Sequence, residues 1–311
     1  MSQYFKQFLL GRRTMKHNLF FLFTTFSALA GFKIHHQNLI QSLTQAEGIQ
    51  EQQRRQSYFR HGFKMIPHIE KKYKGGEDAC YADDQLLVVL DGVGGWNEVG
   101  VDPGLFTKQF IKLIEQEHKN DPNLELKILL EKALVQVTNQ GSSTAVLLKI
   151  DPQRPDVLNT ANLGDSGYAI FRVVDQQLEL YYRSKEQQHG YDFPFQCGTN
   201  GDPTSDAETQ EHTLKDNDIL VVGSDGLFDN LYNNDIQSCI QTQIIGQNYE
   251  VDPTAVAECI AAKAEQVSFS ETHFSPFAKH AKEAGKEYQG GKMDDITVVV
   301  GQFKNRQNDI V

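Results

Sequence analysis

Three acidic residues stand at the ends of strongly apolar runs in the sequence. Asp91 directly follows LLVVL, Asp225 follows ILVVGS, and Asp294 lies two residues before ITVVV. Because short apolar runs of this kind are typical of buried strands, each run would hold its carboxylate at a fixed place. Carboxylates that converge without a cation repel one another and are costly to desolvate. Oxygen ligands without His or Cys nearby favour Mg²⁺ or Mn²⁺ over zinc, so the pattern predicts a hard-metal site.

Further acidic residues extend this pattern. Glu77 and Asp78 lie in GEDA, ahead of the first apolar run, and Asp165 lies in the glycine-bounded segment NLGDSG. Each acidic residue alone has a simpler explanation, because Asp-Gly is typical of tight turns and an Asp side chain often caps its own turn. The repeated placement of acidic residues at the ends of apolar runs is what indicates chemistry.

The elements that would position these residues are short strands and amphipathic helices. β-rich runs lie at 86–90, 144–150, 168–174, 178–182, 219–222 and 296–300. Apolar periodicity predicts helices at 105–117, 124–138, 234–245 and 254–267. Three successive strands between residues 144 and 182 do not fit a regularly alternating βαβ chain. We therefore expect an α+β fold in which sheets pack together and helices cover the outside.

The composition restricts the partners of this 311-residue chain. It carries 41 acidic and 30 basic side chains, a net charge of −11. Proteins that bind the phosphate backbone normally show a basic stripe, so we expect no nucleic-acid partner. No apolar run reaches the roughly 18 residues of a membrane-spanning helix, so we expect no stable membrane span. The four cysteines show neither the density of a disulfide scaffold nor zinc spacing, which favours reduced, unpaired thiols.

The N-terminal segment differs in composition from the rest of the chain. Residues 1–46 contain five basic residues and no Asp or Glu, which is typical of an organelle-import presequence. Import into the mitochondrial matrix is the preferred interpretation. The first alternative is the secretory pathway, because the apolar run 19–30 ends in Ala-Leu-Ala, a signal-peptide cleavage pattern, and a cytosolic location is the second. We expect a targeting segment and polar linker at 1–57, a catalytic domain at 58–305 and a tail at 306–311.

Six motifs, in this order along the chain, resemble those of the metal-dependent Ser/Thr protein phosphatases, the PPM or type 2C family. They are GEDA (76–79), DGVGGW (91–96), GSSTAV (141–146), NLGDSG (162–167), SDGLFDN (224–230) and GKMDDITVVV (291–300). The runs EQQH (186–189) and FSPFA (274–278) are similar to the branch that contains the mitochondrial matrix phosphatases. The resemblance covers about residues 62–303. It implies two packed, mainly antiparallel sheets flanked by helices, an αββα sandwich, and a Ser/Thr phosphatase of phosphoproteins, which we expect to be a monomer.

The resemblance also implies roles for individual residues. In the family, two metal ions share a bridging water that attacks phosphorus directly, without a covalent phosphoenzyme. The matching motifs imply that Asp91 bridges two Mn²⁺ or Mg²⁺ ions and that Gly92 offers its backbone carbonyl. Asp225 and Asp294 would complete the first metal site. Direct attack agrees with the cysteines, since none is followed by the x5-Arg spacing of a thiol-based phosphatase.

Three more acidic residues are implied to lie around these ions. Glu77 and Asp78 would hold water ligands of the second metal ion. Asp165, together with Asp225, matches the ligands of a weaker third metal ion. The resemblance therefore implies two divalent ions and leaves a third open.

Two positions depart from the family pattern. Val93 stands directly after Asp-Gly, where many members have the His that protonates the leaving oxygen. Metal-bound water is the first candidate for this acid and His189, in EQQH, is the second, although a structural role for His189 is the simpler interpretation. The Arg that grips the substrate phosphate also has no counterpart. Lys71, Lys72 and Lys74 could substitute, but a Lys cannot form the bidentate contact of an Arg.

Two other functions stay open at the level of sequence. One is a catalytically silent, phosphatase-like module that binds phosphoproteins, against which the intact Asp91, Asp225 and Asp294 weigh. The other is a two-metal hydrolase of small phosphoesters. The acidic balance counts against nucleic-acid substrates and leaves small phosphoesters possible.

Overall fold

The fold is built around two five-stranded sheets. The computed structural model describes residues 57–246 and 248–305. In these ranges the strands are β1 (Tyr58–Ile66), β2 (Ala79–Ala82), β3 (Leu86–Leu90), β4 (Ser142–Ser143), β5 (Ala145–Ile150), β6 (Val157–Leu163), β7 (Gly167–Val174), β8 (Gln177–Arg183), β9 (Gln188–Gly190), β10 (Phe193–Pro194), β11 (Cys197–Gly198), β12 (Glu208–Thr213), β13 (Ile219–Gly223), β14 (Ile244–Ile245), β15 (Glu250–Val251) and β16 (Ile296–Lys304).

Neighbouring strands in both large sheets run antiparallel. The first sheet has the strand order β1-β16-β13-β7-β8, and the second has the order β12-β6-β5-β3-β2. Each of these pairs is antiparallel. The short strands form two-stranded ladders, β4 with β11, β9 with β10 and β14 with β15. The predicted α+β fold with mainly antiparallel sheets is confirmed.

Helices cover the outer faces of the sheets. They are α1 (Pro103–Asn120), α2 (Leu126–Leu134), α3 (Asp225–Phe228), α4 (Asn233–Thr242), α5 (Pro253–Ser268) and α6 (Pro276–Glu283), with 3-10 helices at Ile69–Lys74, Gly94–Val99 and Thr204–Asp206. The start of α1 shows why the sequence folds this way: the Asp102 side chain accepts a hydrogen bond from the Gly104 amide, and Pro103 occupies the first turn.

Apolar side chains fill three layers, which produces the αββα arrangement. On β3, Leu87 and Val89 belong to the core between the sheets, whereas Leu86, Val88 and Leu90 belong to the core beneath α1 and α2. A third core joins the first sheet to α4 and α5. Because successive strand residues point to opposite faces, a strand buried on both faces reads as an unbroken apolar run.

The predicted strands and helices are all present, with ends shifted by a few residues, but four strands of the large sheets were not expected. These are β1, β2, β6 and β12. β6 carries polar side chains that are buried and find hydrogen-bond partners. The Thr160 hydroxyl lies 2.9 Å from the Tyr168 hydroxyl, and Asn162 Nδ2 donates to the Lys185 carbonyl at 3.1 Å. β12, at the sheet edge, is largely polar. Neither strand shows the apolar run on which the prediction depended.

The expectation of unpaired thiols is wrong for two of the four cysteines. Cys239 on α4 and Cys259 on α5 form a disulfide, with their Cα atoms 5.7 Å apart. Both helices pack on the same sheet, so tertiary structure closes a separation of 20 residues that no local spacing reveals. Cys80 and Cys197 are free.

None of the helices in the described ranges is long and apolar enough to cross a membrane. The targeting segment and linker up to residue 56, and the tail at 306–311, lie outside the described residues, so those assignments stay predictions.

Candidate metal centre

Two predicted ligands come from neighbouring strands of the first sheet. β13 and β16 are antiparallel, with Gly223 opposite Val298. The end of β13 therefore lies beside the start of β16. Asp225 follows β13 by two residues and Asp294 precedes β16 by two residues, so both carboxylates are delivered to one end of the sheet.

Two more predicted ligands reach the same end from the second sheet. Asp91 directly follows β3. Asp165 lies in the turn between β6, in the second sheet, and β7, in the first. β7 begins at Gly167, which lies opposite Gly223 at the end of β13. The turn that carries Asp165 thus crosses between the sheets at the end where Asp225 stands.

These four carboxylates share one cavity of about 250 Å³. The described residues that line it are Lys71, Asp91, Gly92, Val93, Gly94, Gly95, Thr144, Asp165, Asp192, Pro194, Asp225, Lys292 and Asp294. Glu77 and Asp78 are buried, with 0% and 2% of their surface exposed. The pKa of Asp91 is raised well above its usual value. Burial is the main cause, and the charge of Asp78 raises the pKa further. The structure therefore brings the predicted acidic residues into one electrostatic cluster.

Several buried carboxylate oxygens of the cluster have no hydrogen-bond donor among the described residues. These are both oxygens of Asp78 and Oδ1 of Asp225. Burial raises the pKa of Asp78 well above its usual value, and the neighbouring Asp295 raises it further. Buried carboxylates without donors are stabilised by a hard divalent cation, so these residues fit Mg²⁺ or Mn²⁺.

Lys71 lies between carboxylates at one side of the cavity. Its Nζ is 2.7 Å from Glu77 Oε2, 3.3 Å from Asp294 Oδ1 and 3.2 Å from Asp295 Oδ2. Burial acts to lower the pKa of Lys71, but the attraction of these carboxylates outweighs it and the pKa is raised. Of the three lysines that could replace the missing Arg, this is the one that lines the cavity.

Lys292, which also lines the cavity, lies among a second set of carboxylates. Its Nζ is 2.5 Å from Asp225 Oδ2, 2.9 Å from Asp229 Oδ2 and 3.5 Å from Asp192 Oδ1. Burial acts to raise the pKa of Asp225, but the attraction of Lys292 outweighs it and the pKa lies below its usual value.

Within the described residues, no three His, Cys, Asp or Glu side chains surround a single point in metal-ligating geometry.

Gly92, which follows β3 and Asp91, allows this part of the chain to approach the GEDA segment closely. A Cβ atom at this position would lie 2.7 Å from the carbonyl oxygen of Glu77. The same carbonyl accepts a hydrogen bond from Thr107 Oγ1 of α1 at 2.6 Å. Only a residue without a side chain fits here, so the Gly of the Asp-Gly pair has a steric reason independent of its carbonyl.

The comparisons with known proteins agree with this geometry. The chain is 38% identical over 247 residues to the protein named probable protein phosphatase 2C 55 of Arabidopsis thaliana, covering 77% of this chain and 50% of that relative. It is 33% identical over 265 residues to probable protein phosphatase 2C 26 of the same plant, covering 78% of this chain and 82% of that relative. The chain belongs to the protein phosphatase 2C family. It spans about half the length of the curated relatives it matches first, 50% of 2C 55 and 57% of 2C 80.

Solved structures of phosphatases share the fold. The X-ray structure of the photosystem II phosphatase PBCP aligns with a TM-score of 0.70 and 30% identity, over 79% of this chain and 99% of that chain. The catalytic domain of the serine threonine protein phosphatase PstP, in complex with two manganese ions, aligns with a TM-score of 0.54 and 16% identity, over 80% and 99% of the chains, and shows the fold alone. A scan against protein-family models found no match.

In this phosphatase 2C domain, His189 belongs to a cavity next to the acidic one. Its Nε2 lies 3.0 Å from Asp202 Oδ1, and its ring stacks on Phe195 with the ring centroids 3.9 Å apart. With Trp96 and Phe193 it lines a cavity of about 500 Å³, which is distinct from the carboxylate cavity. These contacts favour the anchoring role over the role of general acid.

Three residues of the centre in this phosphatase 2C domain were not singled out from the sequence. They are Asp192, Asp229 and Lys292. Asp229 and Lys292 lie inside quoted motifs, SDGLFDN and GKMDDITVVV, so motif membership was the available signal. Asp192 comes from the turn between β9 and β10 and adopts φ +57°, a conformation that Asp tolerates better than most residues. No sequence pattern placed it at the cavity.

Proposed function

We propose that this member of the phosphatase 2C family hydrolyses phosphoserine and phosphothreonine in proteins and requires two divalent ions, Mn²⁺ or Mg²⁺. The observation that carries the proposal is the convergence of Asp91, Asp165, Asp225 and Asp294 on one cavity. The family membership supports the phosphoprotein substrate. The two manganese ions in PstP, a fold neighbour, support the choice of ions.

The residues of the cavity have different roles in the proposed reaction. Asp91, Asp225 and Asp294 would hold the ions, with the carbonyl of Gly92. When bound, two such ions lower the pKa of a water and neutralise the charge of the phosphoryl oxygens. Lys71 adds a positive charge at the cavity wall. Among the described lining residues there is no histidine, so we propose that the leaving oxygen takes its proton from solvent.

The direct test is metal-dependent turnover by the full chain. We expect hydrolysis of both p-nitrophenyl phosphate and a phosphothreonine peptide with Mn²⁺, and loss of both activities with EDTA. Folded protein that shows no turnover at saturating Mn²⁺ would instead support the silent phosphoprotein-binding module. Turnover of p-nitrophenyl phosphate without any turnover of phosphopeptides would support the hydrolase of small phosphoesters.

Substitution of ligands tests whether these carboxylates carry the reaction. Asp91→Asn and Asp225→Asn should each lower kcat by about a thousandfold, because each removes charge that holds the ions. The matched control is Asp175→Asn, in the exposed turn between β7 and β8. A tenfold effect at Asp91 and Asp225 would mean that they are turn residues rather than ligands.

We also propose that the N-terminal segment directs the protein to the mitochondrial matrix. The support is its composition, five basic residues and no acidic residue in residues 1–46. A fusion of residues 1–60 to a fluorescent reporter should enter mitochondria. Secretion of the reporter would overturn this proposal in favour of the secretory alternative, and a diffuse cytosolic signal would show that the segment carries neither address.

A further inference from the structure

Lys292 is held in place by its backbone as well as by its charge. Asn230 Nδ2 donates to the Lys292 carbonyl at 2.8 Å, and the Lys292 amide donates to Asn230 Oδ1 at 2.9 Å. Asn230 is completely buried and also donates to the carbonyl of Gly226 in α3. These hydrogen bonds fix the segment that precedes β16, which contains Lys292, to α3. Lys292 therefore does not behave as a freely mobile surface lysine.

The Lys292 ammonium is directed at carboxylates. An ammonium has three N–H donors, and two carboxylates, Asp225 at 2.5 Å and Asp229 at 2.9 Å, lie within hydrogen-bond distance. Asp192 and Asp294 each lie 3.5 Å away. The side chain is 17% exposed, and its Nζ is 5.1 Å from the ring centroid of Phe277.

Asp225 shows a division between its two oxygens. Oδ2 accepts the hydrogen bond from Lys292, whereas Oδ1 is buried and receives no hydrogen bond from any residue that the structure describes. One side of the carboxylate is therefore committed to the ammonium, and the other is available to a ligand ion. Asp165 contributes a further carboxylate to the same cavity, and the Lys292 charge acts on it.

We propose that Lys292 is a built-in cation that occupies the Asp225–Asp229 side of the centre and restricts the centre to two divalent ions. The inference rests on the proposed metal-dependent function. A divalent ion held by Asp165, Asp225 and Asp229 would have to share these carboxylates with the ammonium, and two like charges a few ångströms apart in a buried site repel strongly. Lys292 thus supplies, within the chain, the charge that a third ion would supply.

The test is the number of Mn²⁺ ions bound per chain, measured by equilibrium dialysis and elemental analysis on the full-length protein. Wild type should bind two ions at saturation. Lys292→Met should bind three, because Asp225 and Asp229 lose their counter-charge, whereas Lys292→Arg should keep the wild-type count. Circular dichroism establishes that each variant is folded. A folded Lys292→Met that binds two ions would overturn the proposal.

Two further measurements keep the test independent of the Lys292→Met variant and of catalysis. Wild type that binds three ions would overturn the inference, whatever the variant does. Asp165→Asn should leave the wild-type count at two, and it should remove the additional ion from Lys292→Met. Protein that binds two ions but hydrolyses no phosphoester would contradict the proposed function and leave the inference on Lys292 intact, because the ion count does not depend on turnover.

Discussion

Asp295 is joined to Glu77, 218 residues earlier in the chain, by a hydrogen bond of 2.9 Å from the Glu77 amide to Asp295 Oδ2. The other oxygen, Oδ1, accepts from the His68 amide at 2.7 Å. Asp295 precedes β16, so a single buried carboxylate fixes the GEDA segment to the strand that follows Asp294. Asp295 thus positions the GEDA segment and Asp294 without being a predicted ligand itself.

Asp295→Asn should weaken metal binding while leaving every predicted ligand in the chain. An amide side chain can keep one acceptor but loses the charge that faces Lys71 and the second acceptor for backbone amides. We expect a loss of about 10–100-fold in Mn²⁺ affinity, as is typical for residues that orient metal ligands. Isothermal titration with Mn²⁺ measures this, with Asp175→Asn as the matched control. Unchanged affinity would show that the Asp295 contacts are merely structural.

Lys71→Met should make the protein depend on metal for its stability. Without this ammonium, Glu77 and Asp295 lose a positive partner at 2.7 Å and 3.2 Å. Removing one partner from a buried ion pair is costly, so the melting temperature of the metal-free variant should fall below that of wild type. Added Mn²⁺ should raise the melting temperature more in the variant than in wild type. Lys72→Met, at an exposed position, is the control, and an equal rise in all three proteins would contradict this account.

Gly76→Ala should destabilise the fold near the centre. Gly76 has φ +76°, and a Cβ there would lie 2.8 Å from Asp295 Oδ1. A non-glycine residue in this conformation costs on the order of 1 kcal/mol or more, to which the contact with Asp295 adds. Urea unfolding measures the change. Gly95→Ala, where a Cβ would meet nothing within 4 Å, should unfold at nearly the wild-type midpoint, and equal effects at the two sites would refute the steric argument.

Asp151 should give the protein a stability that disappears in acid. Its carboxylate accepts hydrogen bonds from the Gln153 amide at 2.8 Å and the Arg154 amide at 3.0 Å, and it pairs with the Arg154 side chain at 2.7 Å. Burial acts to raise the pKa of Asp151, but these contacts outweigh it and lower the pKa to about 2.

A lowered pKa makes the sign of the pH effect definite. The contribution of Asp151 is complete above the unfolded pKa of about 3.9 and is lost as the pH falls towards 2. Wild type should therefore be more stable than Asp151→Asn at pH 6, and the difference should shrink as the pH approaches 3. Urea unfolding of both proteins at each pH measures the difference. A gap that is constant with pH would exclude this explanation.

Reduction of the Cys239–Cys259 disulfide should lower stability without removing activity. The bond closes a segment of 20 residues between α4 and α5, and neither cysteine lines the cavity that the predicted ligands share. Opening a loop of this size typically costs about 2–4 kcal/mol, because the unfolded chain regains freedom. Urea unfolding with and without a reducing agent measures the loss. The Cys239→Ala/Cys259→Ala variant should match the reduced protein and be insensitive to the reducing agent.

Much of the fold was accessible from the sequence because burial on both faces leaves a clear local trace. β3 and β13 are short, almost wholly apolar runs, and β16 begins with the largely apolar run ITVVV, so each was predicted within a few residues. β6 was missed because its buried polar side chains are satisfied by partners outside the strand, such as the Lys185 carbonyl for Asn162, and β12 was missed because most of its side chains are polar and exposed. Local composition reports burial, but it does not report which polar groups will find a partner.

The candidate site divides in the same way. The sequence alone determined which acidic residues stand at strand ends, because strand burial and the position of Asp91, Asp225 and Asp294 are both properties of a few consecutive residues. The tertiary structure decided where the lysine ammonium groups lie relative to these carboxylates. Lys71 and Lys292 reach the carboxylates through contacts between segments up to 224 residues apart, and such contacts depend on the order of strands in the sheets. Charge pairing across the sheets is a property of the assembled fold, and no local pattern encodes it.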